Sequence, residues 1–303
     1  MSTGRTLNEM LHSHALWLQG VETAFRAVLG AETLNGLTLQ DLVLRNAIMR
    51  GTVLLDADLT GTDLSGAVID GVDFERANLS SADLSGAQIS QTQFPSVWMP
   101  HSMWSEAKLR ADNFQKANLR TTRFQNAVIE GSKFSGALLA EASFHHARLS
   151  HCDLAESDIS KAQFIRAQLQ ACRLVALRGP GTNFSHARVK ACDGAKADFT
   201  GSKFLQADLA GSEFDRATLH DVDFRQAQLT GVNFCQSDLS FCRFRDAKLA
   251  GADFRGADLN GAQELTAAQL GQTRTDERTT LPNGTHGPYS RFSGAEKCPF
   301  VSR

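Results

Sequence analysis

The sequence has no apolar run approaching the ~20 residues that a membrane span requires, and no signal-peptide pattern opens it. Cytoplasm is therefore the expected compartment, and no membrane partner is expected. Walker loops, G-x-G-x-x-G, H-E-x-x-H, G-x-S-x-G and Cys-x-x-Cys are all missing. No motif supports catalysis, so catalytic, cofactor-binding and metal residues are each expected to be none. Bulk charge says as little, since 31 Lys+Arg against 33 Asp+Glu leave a formal net charge of −2. Such a balance does not announce direct nucleic-acid binding.

Six cysteines in 303 residues do not make a disulfide framework. Cys152, Cys172 and Cys192 stand twenty residues apart, in a series running Ser132, Cys152, Cys172, Cys192, Ser212. Buried thiols as small apolar filler is the stronger reading. Colinear ligands suit tetrahedral metal poorly. The nearest approach to a metal site elsewhere is "FHHARLSHC" (144–152), where His145, His146 and His151 fall at expected turns. No carboxylate is placed to orient them.

What the sequence does have is a period. From Leu34 to Leu259, 44 of the 46 residues whose numbers end in 4 or 9 are large and apolar, and only Gly179 and Gly194 break the series. Two residues before each sits a small side chain, usually Ala, with a polar residue between. A helix buries residues at spacings of three and four, and a strand at two. Five fits a solenoid: one large and one small inward side chain on a short extended side, then two residues, often Ser-Gly or Thr-Gly, at a corner. Stacked coils bury a core that no single unit could bury alone.

Ala57-Asp58-Leu59-Thr60-Gly61, Ala77-Asn78-Leu79-Ser80-Ser81 and Ala257-Asp258-Leu259-Asn260-Gly261 resemble the A(D/N)LXX consensus of the pentapeptide-repeat family. The resemblance covers roughly residues 37–263. It implies an all-β solenoid, a right-handed quadrilateral β-helix of about eleven coils with twenty residues in each. At ~4.8 Å per stacked strand this is a rod on the order of 50 Å long. Phe favours positions ending in 4 and Leu/Ile those ending in 9, so Phe is expected on one opposed pair of sides.

Three segments follow: an N-terminal amphipathic helical cap (1–33), the repeat (34–263), and a C-terminal cap with a partly flexible tail (264–303). Thr6-Leu7-Asn8-Glu9 has capping-box spacing, and Leu7, Met10, Leu11, Leu18, Val21, Phe25, Val28 and Leu29 follow helical period, with Gly20 as an internal break. "HALWL" (14–18) resembles a lead-in found before repeats in the family. "LTAAQL" (265–270) reads as a short helix with Thr266 at its N-cap. Asp276, Thr279, Leu281, Pro282 and Gly284 keep a "DxxTxLPxG" run that closes many similar proteins, so this segment is expected to cap the last coil. Near Gly179 and Gly194 a bend, a bulge or a looped corner all stay open, with Leu177 available to fill the gap.

A rod filled with Phe and Leu leaves function to its surface. Every twentieth outward residue gives one side carrying Asp58, Asp158, Asp198, Asp238 and Asp258 with Arg178. The opposite side carries Lys108, Arg148, Arg188 and Lys248 with Asp208. "FPSVWMPHSMW" (94–104) places Trp98 and Met103 outward on adjacent sides, the composition of an interface anchor. Family members of known role include bacterial proteins that protect DNA gyrase, some by imitating duplex DNA with an acidic rod. The preferred expectation is a non-catalytic scaffold docking a protein partner, for instance within a larger assembly, through Trp98 and Met103. The alternative is a DNA mimic acting on gyrase or topoisomerase through the Asp58–Asp258 ladder. Residues 101–200 weigh against it, with 14 Lys/Arg and 9 Asp/Glu.

Overall fold

The computed structural model describes residues 6–298, which leaves the last residues of the expected tail outside the described chain. The chain forms two compact units, Met1–Ser143 and Phe144–Arg303. Each is a four-sided parallel β-solenoid.

Unit 1 opens with α1 (Leu7–Leu18). Thr6 Oγ1 accepts the Glu9 N–H, and the Glu9 carboxylate accepts the Thr6 N–H, which completes the capping box. The helix stops earlier than its apolar period suggests. Gly20 takes a φ of 83°, and the Val21 N–H returns to Leu16 O, a glycine-ended helix terminus. Val28 and Leu29, expected as helix, lie instead in β1 (Val28–Gly30), because Ile48 and Met49 stand opposite as sheet partners. The helix is tied to this first coil by Ser13 Oγ, which accepts the Phe25 N–H at 3.0 Å, and by His14 Nδ1, which accepts the Ala27 N–H at 3.1 Å.

Strands β2 (Ile48–Arg50), β3 (Val68–Asp70), β4 (Gln88–Ser90), β5 (Lys108–Arg110) and β6 (Val128–Glu130) follow on the same side. Each pairs in parallel with the one twenty residues before it. The other three sides repeat that interval as single bridges, for example Thr33↔Val53, Thr38↔Asp58 and Val43↔Asp63. The spacing follows from the corners. After each inward pair the chain turns through a residue in the left-handed region, and many of these are not glycine: Asp56 (φ 55°), Arg76 (φ 56°) and Lys116 (φ 58°) among them. Such a residue costs on the order of 1 kcal/mol. The hydrogen bond from each corner N–H to the next coil, as from Asp56 to Glu75 O at 3.1 Å, offsets that cost.

Inside unit 1 the Phe column appears as expected. Phe94 stacks on Phe74 and Phe114 at ring separations of 5.1 and 4.6 Å. Across the interior it meets Trp104 edge-on at 5.8 Å. Trp104 is wholly buried, and its indole N–H donates to Ser102 Oγ at 2.9 Å, so the larger ring brings no unpaired donor inside.

Unit 2 carries β7 (Arg148–Ser150), β8 (Gln168–Gln170) and β9 (Arg188–Lys190), and the same side continues through Arg188↔Asp208, Asp208↔Gln228 and Gln228↔Lys248. The strand-bearing side has six levels in unit 1 and six in unit 2, so the coil count differs slightly from the eleven expected. Neither glycine interrupts the stack: the Gly179 N–H reaches Asp198 O and the Gly194 N–H reaches Glu213 O, both at 2.7 Å. Leu177, at the small inward position, is buried and fills the space; a Cβ on Gly179 would lie 3.1 Å from its Cδ2. At Gly194 the ring of Phe214 takes the room, 2.6 Å from where a Cβ would sit.

The last coil is closed by α2 (Ala267–Leu270) and the segment after it. Arg274 bridges Asp253, Thr280 bridges Asp258, Thr279 Oγ1 donates to Phe254 O at 3.0 Å, and Asp276 accepts the Gly256 N–H at 2.8 Å. The DxxTxLPxG run therefore does cap the solenoid. Gln269 replaces a missing coil: its amide donates to Phe244 O at 2.9 Å and to Ala247 O at 3.0 Å. Gln269→Ala is expected to lower stability by about 1–3 kcal/mol, since Ala247 O loses its donor and Phe244 O keeps only the Ala247 N–H. A urea-unfolding midpoint unchanged from wild type would show that water serves them equally well.

Candidate interaction surfaces

The interior of both units is packed with side chains, so chemistry available to a partner lies on the outward positions. The acidic ladder is explained first by the corners. Asp58 Oδ1 accepts both the Thr60 N–H (3.1 Å) and its hydroxyl (2.6 Å). Asp158 does the same with Ser160, Asp198 with Thr200 and Asp238 with Ser240, while Asp258 accepts the Asn260 N–H at 2.8 Å. Each carboxylate thus holds the turn that follows it, the local bond typical of Asp and Asn. Asn78 makes the identical pair of contacts with Ser80. The D/N of the repeat is a turn device before it is a charge. The Thr60 hydroxyl, then the Gln40 amide, draws the Asp58 carboxyl below its usual range. Asp58 belongs to unit 1, and Asp158, Asp198, Asp238 and Asp258 to unit 2.

Trp98 and Met103 both belong to unit 1 and occupy adjoining sides. Trp98 is 54% exposed, with Asn78 and Asn118 on the levels beside it. Asn118 is buried, so the indole flanks a covered polar residue rather than folding inward itself. Met103 is half-buried between Asp83 and Arg123. Val28, Leu37 and Val43 in the first coil are further exposed apolar residues of this unit.

One charged residue stands where the period demands a small one. Asp112 is 1% exposed, at the inward position between Thr92 and Ser132 of the neighbouring levels. Its Oδ1 accepts the Thr92 N–H at 2.9 Å, its own N–H donates to Ser132 Oγ at 3.2 Å, and Oδ2 is buried without a partner. Burial pushes its pKa up to about 7, with the Asp70 charge adding in the same direction. Sequence reasoning passed over it, although an Asp in a series of Ala, Ser, Thr, Cys and Val was a visible exception.

Cys152, Cys172 and Cys192 stack as expected in buried positions of unit 2. Cys172 Sγ donates to Leu149 O and Cys192 Sγ to Leu169 O, as Ser212 Oγ does to Val189 O. The hydrogen bond that the Cys192 thiol gives to Cys172, and then burial, raises the Cys192 thiol, which stays protonated. His146 and His151 sit on corners at either end of β7, and among the described residues no group of three His, Cys, Asp or Glu is arranged to hold a metal ion. No helix among them is long and apolar enough to cross a membrane.

A parallel solenoid of four short sides, with one large and one small inward residue in every five, defines a solenoid repeat protein. The family described as "Pentapeptide repeats (8 copies)" matches residues 33–66, 57–94, 105–139 and 137–174, and a second, "Pentapeptide repeat region", matches 197–274. Together these span more than half of the sequence, and the chain belongs to the pentapeptide-repeat family. No curated protein matches it. Similar solved structures include HetL, a pentapeptide repeat protein involved in heterocyst differentiation regulation from Nostoc sp. strain PCC 7120. It is 19% identical, with 93% of this chain and 99% of that one covered and a TM-score of 0.31. A trypsin-treated variant of QnrB1, a plasmid-mediated fluoroquinolone resistance protein, is 20% identical over 78% of this chain and 91% of that one, with a TM-score of 0.36. A pentapeptide repeat protein of the Arabidopsis thaliana thylakoid lumen is 21% identical over 43% of this chain and 83% of its own, with a TM-score of 0.25. These are likenesses of fold.

Proposed function

We propose that the protein is a non-catalytic scaffold that docks a protein partner on the outer surface of unit 1, with Trp98 as the anchor and Met103 beside it. The observation that carries this reading is the exposed indole. A side chain of that size left more than half in water, between Asn78 and Asn118, buries a large apolar area once a partner covers it. An interior filled by stacked Phe, Leu and Ile leaves the surface as the place for function.

Imitation of duplex DNA toward gyrase or topoisomerase has weaker support. The five ladder carboxylates each commit an oxygen to a corner, and exposed Arg178 interrupts the run in unit 2. Trp98→Asp is expected to fold normally, as judged by circular dichroism, and to lose the partner that wild-type protein captures from bacterial lysate. Equal capture by both proteins, identified by mass spectrometry, would remove Trp98 from the interface.

A further inference from the structure

The strand-bearing side of unit 2 begins with three levels that carry no acidic residue. These are residues 145–151, 165–171 and 185–191, at β7, β8 and β9 and the corners that flank them. Arg148, Gln168 and Arg188 stand in register across the three strands. The corner before them carries His146, Arg166 and His186, stacked through His146 N–H to Ile165 O and Arg166 N–H to Ser185 O. All six side chains are exposed.

Five other arginines of unit 2 find carboxylates: Arg173 pairs with Asp153, Arg225 with Asp223, Arg243 with Asp221, Arg245 with Glu264 and Arg255 with Asp253. Arg148, Arg166 and Arg188 have no ion-pair or side-chain hydrogen-bond partner among the described residues. Lys190, in the same patch, is engaged at 2.8 Å by Asp208 on the fourth level.

We infer that this patch binds a short acidic segment of a protein partner, in extended form, through carboxylate–guanidinium forks. The inference rests on the scaffold reading for the class of its partner, but it uses a surface in the other unit. Four features of the patch choose a peptide over other anions. Guanidinium forks match carboxylates in a bidentate way, and three of them stand within about 10 Å, two strand spacings. The patch ends at Asp208, so an anion that continued would meet a like charge; a DNA duplex, with a charge every ~1.7 Å, continues. No Phe, Tyr or Trp lies on the outward positions of these levels, so the large aromatic platforms typical of single-strand binders are missing from the patch. The exposed Gln168 and Gln170 amides lie between the cations and can pair with the backbone of an extended chain.

The test uses two labelled probes, a Glu/Asp-rich peptide of about twelve residues and a DNA duplex of about twelve base pairs, read by fluorescence anisotropy at about 50 and 200 mM salt. Wild type is expected to bind the peptide more tightly than the duplex. Arg148→Glu/Arg166→Glu/Arg188→Glu is expected to weaken peptide binding at least ~20-fold, and the three Arg→Gln changes together to weaken it less, in the same direction. A control with equal charge reversal on other sides, Arg178→Glu/Lys196→Glu/Lys203→Glu, is expected to stay within about twofold. Trp98→Asp should leave peptide affinity unchanged, which separates this surface from the Trp98 interface. Equal loss in the control triple, tighter binding of the duplex, or no peptide binding by wild type would each overturn the inference.

Discussion

At pH 8, replacing Asp112 by Ser is expected to make the protein more stable than wild type by about 2–4 kcal/mol, although the change removes a residue that makes two hydrogen bonds. At pH 5 the two proteins should differ by less than about 1 kcal/mol. The reason is the state of the carboxyl. Neighbouring inward hydroxyls donate to backbone carbonyls: Thr52 to Leu29 O, Thr92 to Ser90 O and Ser132 to Glu130 O. Asp112 sits in the same column and can donate only when protonated. As a carboxylate it would place a second acceptor, Oδ2, in a buried site with no donor.

The sign follows from the two end states. Folding raises this carboxyl from 3.8 to about 7. Its contribution is fully present below the unfolded value and falls away as pH rises through the folded one, because the folded state holds a proton that the unfolded chain releases. Three pH units at about 1.4 kcal/mol each give a loss of roughly 4 kcal/mol between pH 4 and 7. His14 works in the opposite sense. Burial, then Arg26, lowers its pKa, so its contribution is present above the unfolded 6.5 and lost as pH falls. Both proteins share it, and it cancels in their difference. Urea unfolding of wild type and Asp112→Ser at several pH values between 5 and 8 is the measurement. Parallel curves over that range would mean that Asp112 is ionised in the folded protein and has found a donor.

The period of five was legible because it is imposed at every coil: wherever Leu59, Phe114 or Phe234 falls, an inward position is forced, and those residues are buried as expected. The closing DxxTxLPxG segment was legible for the same reason, since Thr279 and Asp276 meet groups that every open coil presents. The end of α1 was not. Leu18, Val21 and Val28 share a helical spacing, and only the strand partner offered by Ile48, twenty residues on, turns Val28–Gly30 into β1. The surface was harder. Trp98 was visible as a large residue at an outward position, and its exposure agrees. The Asp series read as charge, whereas the Ser or Thr two residues after Asp58, Asp158, Asp198 and Asp238 already carried the turn explanation. The unpaired arginines of β7–β9 required three-dimensional neighbours to be told from Arg225 or Arg255, whose partners lie two residues away in sequence.

A large loss of stability in unit 2 is expected from Phe184→Ala, about 3–5 kcal/mol in urea unfolding. Phe184 is 1% exposed and meets three rings: Phe164 at 4.7 Å and Phe204 at 4.9 Å in stacks, and Phe199 edge-on at 5.7 Å. Removing it opens a cavity and breaks one column in the middle. The coil at Gly179 shows how a solenoid tolerates a missing large side chain: Leu177, two residues earlier, occupies the space. Phe184 has no such substitute. Its small inward partner is Thr182, whose hydroxyl is committed to Ile159 O and Gly179 O at 3.0 and 2.7 Å, and whose side chain is too short to cross the gap. Phe254 offers the comparison. It has ring neighbours in Phe234 at 5.6 Å and Phe244 at 6.2 Å, and the capping segment rather than a further Phe level beyond it. Phe254→Ala should therefore cost less than Phe184→Ala, because a solenoid's stability is shared between adjacent levels and a terminal level has fewer of them. A cost below about 2 kcal/mol at Phe184 would show that the stacked walls close around a missing ring, as they close around Gly179, and that shape complementarity of the column contributes less than its buried area.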